Sequence, residues 1–180
     1  MIIRFILISM MMITTALAGD ISKVTIDKLR SLLFASTNRE SALDSLDNYV
    51  TKLVNSNTDS PLITAYKGAA ESIHAKYNFW PWDKLSNVNK GLELLNEAVN
   101  SDKENLEIRF LRFAVLHNLP SILSYSDDAD QEAEIIFNML NKTNYSYDEF
   151  LIKNVVQFLV ISERLTVNQV KMLKNKFGIT

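Results

Sequence analysis

Leu85, Val88, Leu92, Leu95 and Val99 recur at spacings of three and four, with Lys84, Asn89, Lys90, Asn96 and Glu97 between them. That is the period of a helix with one face in a core and the other in solvent. The same test along the chain predicts helices near 25–36, 39–55, 61–77, 82–100, 105–118, 129–141, 147–162 and 167–177. One segment departs from the two-faced pattern. In "LEIRFLRFAVLHN" the apolar positions Leu106, Ile108, Phe110, Leu111, Phe113, Ala114, Val115 and Leu116 surround the whole wheel, which predicts a central helix covered on most sides. Arg109 and Arg112 then become partly buried cations that need carboxylate partners, with Glu71, Glu93 and the acidic run from Asp127 to Glu132 as candidates.

Local chemistry marks where these helices begin. "TNRE" (Thr37 to Glu40), "SYDE" (Ser146 to Glu149) and "TVNQ" (Thr166 to Gln169) each set a hydroxyl three residues ahead of Glu or Gln, the spacing of a capping box. Ser60 precedes Pro61, whose missing N–H costs nothing in a first turn. Gly178 follows a basic last turn and predicts a stop. With only four Gly and three Pro, strand-and-turn folds are disfavoured. The expected fold class is all-α, about eight helices in antiparallel pairs stacked as a short solenoid or bundle.

Composition changes this picture at the N-terminus. "MIIRFILISMMMITTALAGD" runs from Arg4 through an apolar stretch to Ala16-Leu17-Ala18, the order of a secretory signal peptide. We expect residues 1–18 to be removed and 19–180 to form a single helical domain, exported to a periplasmic or extracellular space with no stable membrane insertion afterwards. No cysteine is present to anchor a lipid or form a disulfide. Removal of Arg4 leaves 19 − 1 = 18 basic against 21 acidic residues, a balance that argues against nucleic acid as a partner. Asn141-Lys142-Thr143 and Asn144-Tyr145-Ser146 match the glycosylation acceptor pattern.

Candidate chemistry is sparse. Both tryptophans lie in "KYNFWPWDKL", where Pro81 must break the chain between two helices. One Trp is expected under this corner as core and the other partly exposed, so that Tyr77, Trp80 and Trp82 are structural first and a contact surface second. His74 and His117 fall on different helices without the three or four ligands of a zinc site. The run "YSDDADQEAE" lacks the Gly and terminal Glu of a calcium loop, and its acids suit a helix N-terminus. Neither a nucleophile motif nor a phosphate-cradling glycine loop occurs, and no cofactor is implied.

"KGLELLNEAVNSDKENLEIRFLRFAV" resembles part of a tetratricopeptide-type repeat, with Gly91 and Ala98 as the small residues where helices approach and Leu95 between them. Lys103 stands where that family usually has proline, and "AYKGAA" (Ala65 to Ala70), which resembles a repeat's first helix, lies too far from Gly91 for its unit length. "PLITAYKGAA", "KYNFWPWDKL" and "LEIRFLRF" behind a signal peptide are also similar to small exported proteins of Bacteroidetes-type bacteria. The resemblance implies a periplasmic or secreted helical-repeat protein. The function expected is an interaction module for a protein or peptide; the alternative is a small ligand-binding protein or hydrolase with a polar pocket near Glu71, His74, Arg109 and Arg112.

Overall fold

A computed structural model describes residues 21–56, 60–142 and 147–179. The expected signal peptide, the cap at Ser146 and most of the two glycosylation patterns lie outside these residues. Within them the protein is all-α. The helices are α1 (Lys23–Ser36), α2 (Glu40–Asn55), α3 (Pro61–Tyr77), α4 (Pro81–Ser101), α5 (Leu106–Asn118), α6 (Ser126–Asn141), α7 (Glu149–Ile161) and α8 (Val167–Phe177), with one 3-10 turn at Ser121–Leu123 before α6.

The capping signals place the helix starts better than they name the caps. Thr166 and Gln169 form the full reciprocal box at α8. Pro61 opens α3 with Ser60 at the cap position, but the Ser60 side chain makes no capping bond. Thr37 does not cap α2. It is the C-cap of α1, with helical backbone angles, its hydroxyl donates back to Phe34 O, and Arg39 takes the cap position of α2 without a side-chain bond. The link is too short for Thr37 to close one helix and open the next. Asn105 and Asp148 cap α5 and α7 instead, each accepting from backbone N–H groups of the first turn. Gly178 ends α8 in the left-handed conformation at φ 63°.

α3 and α4 run antiparallel and touch backbone to backbone. A Cβ on Gly91 would lie 2.6 Å from Gly68 O and 2.1 Å from Ser72 Oγ, so only glycine permits this approach. The interior forms two clusters. One gathers α1 to α4 with Ile108, Leu111 and Leu116 of α5; the other gathers α6, α7 and α8 with Leu106 and Phe113 of the same helix. α5 is therefore the shared wall, as its all-round apolar pattern predicts. The stripe on α4 is buried from Val88 onward, whereas Leu85 is exposed, because the first turn and a half of α4 project beyond the helices that cover the rest.

Candidate functional site

The corner that carries the tryptophans is built by backbone geometry. Asn78 and Trp80 are extended, at ψ 146° and 136°, and Pro81 starts α4. The expectation that one Trp packs as core is corrected here. Trp80 is 50% exposed and Trp82 63%, and they stack on each other with centroids 4.8 Å apart and planes 13° apart. Phe79, 82% exposed, meets Trp80 edge-on at 5.0 Å. The first turn of α4 is exposed throughout, and the rings there shield one another. Tyr77 differs: its hydroxyl donates to Ser36 O at 2.7 Å and ties the end of α3 to the end of α1.

From this corner one face of α4 continues without a covering helix. At about 100° per residue, Trp82, Asn89, Glu93, Asn96 and Asn100 fall within about 60° of arc. Asn89, Asn96 and Glu97, which the apolar stripe assigns simply to solvent, in fact line an open groove of about 850 Å³ between α4, α5 and the start of α6. Leu92, Leu116 and Tyr125 give it an apolar part, and Arg112 and Asp128 flank it. The corner lies two turns along the same helix face.

The remaining candidate residues are engaged inside the fold. Arg109 and Arg112 converge on Glu132, which is 1% exposed: Arg109 Nη1 lies 3.1 Å from one carboxylate oxygen and Arg112 Nη1 donates to the other. Arg112 Nε also donates to Asn96 Oδ1 at 2.7 Å, and Arg109 Nε to Lys103 O at 3.0 Å. Of the three candidate partners, the acidic run supplies the carboxylate. Glu71 pairs with Lys90 at 2.6 Å and His74 with Asp47 at 2.8 Å, so the four side chains of the alternative pocket are divided among three separate contacts, Arg109 and Arg112 sharing Glu132. His117 accepts from Arg164 Nε at 3.0 Å; burial and then the Arg164 charge hold its pKa below the ordinary 6.5.

A second ion-pair centre escapes the sequence. Glu107, 6% exposed, accepts both Arg30 Nε and Nη2 at 2.7 Å and the Tyr66 hydroxyl at 2.5 Å, while Arg30 Nη2 also reaches Asp148 Oδ2 at 2.8 Å. Burial and the Glu107 charge push the Tyr66 phenol up. For Arg30, burial opposes the charge, but the two carboxylates outweigh it and raise its pKa. For Asp148, burial likewise opposes the charge, and the Arg30 bond with the Leu151 N–H lowers its pKa overall. The available signal was a Glu between Leu106 and Ile108 on a helix with no polar face; it reads as a first-turn acid until the neighbours are known.

Comparison with protein-family models, curated proteins and solved structures finds no match for this chain. The fold and the site together define an all-α helical protein with an exposed aromatic corner and a polar groove along one helix. Among the described residues no group of three or more His, Cys, Asp or Glu could hold a metal ion, and no helix is long and apolar enough to cross a membrane.

Proposed function

We propose that this chain is an exported interaction module that binds a protein or peptide along the uncovered face of α4, with Trp80 and Trp82 as anchors. The observation that carries the reading is the aromatic corner: Phe79, Trp80 and Trp82 are all at least half exposed although thirty-two apolar residues are buried elsewhere among the described residues. Aromatic rings left outside a core that is otherwise filled are the side chains most often responsible for binding energy at protein contacts. Arg109 and Arg112 serve this surface from behind by holding α4, α5 and α6 in register through Asn96 and Glu132, and Glu71 by tying α3 to α4 through Lys90.

Residues 19–180, immobilised and offered the envelope and culture-fluid proteins of the source cells, should retain a partner that binds saturably in purified form. The double variant Trp80→Ser, Trp82→Ser should lose that partner while remaining folded, with a stability loss of less than about 1.5 kcal/mol. Purified binding that is indifferent to the double variant would overturn the role of the corner. Export is tested separately: N-terminal sequencing should give a mature chain starting at Gly19, and an intact Met1 on the final product would overturn it.

A further inference from the structure

The groove beside the aromatic corner is acidic. Glu93, Glu97 and Asp128 line it, and none of the three has an ion-pair partner among the described residues. Its single cation, Arg112, is already committed to Glu132 and Asn96. An occupant therefore meets an excess of negative charge, three carboxylates on α4 and the first turn of α6 against one arginine that shares Glu132 with Arg109.

The amides on the same face add a second requirement. The side-chain amides of Asn89 and Asn100 make no hydrogen bond within the described residues, and Asn96 uses its Oδ1 on Arg112, which leaves its Nδ2 to donate. An amide side chain offers one donor group and one acceptor, the complement of a peptide backbone. Along α4 these residues are separated by about 10.5 and 6 Å at 1.5 Å per residue. Extended chain covers those distances in about three and two residues at about 3.3 Å each. From Trp82 to Asn100 the face is about 27 Å long, which about eight extended residues would span.

We propose that the groove takes a basic peptide segment in extended conformation, with its backbone on Asn89, Asn96 and Asn100, its Lys or Arg side chains between Glu93, Glu97 and Asp128, and an apolar side chain at the end nearest Trp82. The proposal rests on the reading of α4 as the contact face and specifies the chemistry of what lies there. Charge complementarity selects the occupant: a neutral or acidic segment would bury three carboxylates without a counter-charge.

The test uses residues 19–180 and a library of acetylated, amidated octapeptides carrying Lys, Gln or Glu at alternate positions and Leu or Ser at either end, read by fluorescence polarisation. Lys peptides with one terminal Leu should bind best and weaken with added salt. Glu93→Gln, Glu97→Gln, Asp128→Asn together should weaken them about tenfold and remove most of the salt dependence. Asn89→Ala with Asn100→Ala should weaken Lys and Gln peptides alike. Circular dichroism confirms that each variant is folded. Preference for Gln or Glu peptides, Lys binding that survives the triple charge variant, or no binding of any peptide each overturns the inference. If a purified partner of the Trp80/Trp82 surface still binds the triple charge variant fully, the inference fails and the interaction module stands; if the partner is lost on neither set, both fail.

Discussion

Glu132 is 1% exposed between two guanidinium groups, and its removal is the clearest residue-scale test of what those arginines do. Glu132→Gln leaves Arg109 and Arg112 with one carboxylate fewer than they need in a poorly solvated position. The expected loss is about 3 kcal/mol in urea unfolding, because an unpaired buried charge costs more than its pair gained. A loss below about 1 kcal/mol would mean that water reaches the pair and that the cations are available to ligands. His117 supplies a pH test. Its folded pKa is lowered, so the unfolded chain takes up the proton first. The stability this site contributes is full above about pH 6.5 and declines as pH falls toward and through the lowered folded value. His117→Asn keeps an acceptor facing Arg164 without the titration and should flatten the fall in unfolding midpoint below about pH 6.5; an unchanged profile would assign the fall to other groups. Both partnerships join residues at least twenty positions apart, and sequence spacing shows only that Arg109 and Arg112 need a partner.

At the scale of elements, the α3–α4 crossing depends on two glycines facing each other. Gly91→Ala gains about 1 kcal/mol of helix propensity. It also drives a methyl to within 2.6 Å of the Gly68 carbonyl, which is backbone and cannot rotate away. Overpacking of this kind costs about 1–3 kcal/mol or more, so a net loss of about 1–2 kcal/mol is expected by thermal or chemical unfolding. Neutral or increased stability would show that the helices separate freely. The corner between the same helices should behave oppositely. A buried Trp cut to a small residue costs about 3–5 kcal/mol, but Trp80 and Trp82 lose mainly their mutual stacking, so the double Ser variant should fall by less than about 1.5 kcal/mol. A larger loss would make the corner a structural hinge rather than a surface. Gly91 was legible as a close-approach position through the resemblance of "KGLELLNEA" to a repeat helix, and its meeting with Gly68 was not; the exposure of both tryptophans was not legible either, because Pro81 shows where the chain turns and not what covers the turn.

At the scale of the molecule, Arg30, Tyr66, Glu107 and Asp148 connect α1, α3, α5 and the start of α7, and so join the two apolar clusters through polar contacts as well as through α5. Glu107→Gln should lower global stability by about 3 kcal/mol, and Asp148→Asn, which takes the carboxylate charge from the tie between α7 and Arg30 of α1 while keeping a capping oxygen, should raise amide exchange in α7 and α8 more than in α3 and α4. Equal acceleration in all helices would show that the two clusters open as one unit. Eight helices, their order and most of their limits were written in the chain, because hydrophobic period and proline position act within a few residues and survive any arrangement of the helices. The central, covered place of α5 was legible for the same reason, since a helix without a polar face has nowhere else to go. The identity of the carboxylate facing Arg109 and Arg112, the burial of Glu107, the groove beneath Asn89 and Asn96, and the open position of the tryptophans were decided only by tertiary structure. Each depends on which distant helix lies opposite a given face, and burial and charge pairing are properties of that neighbour as much as of the residue itself.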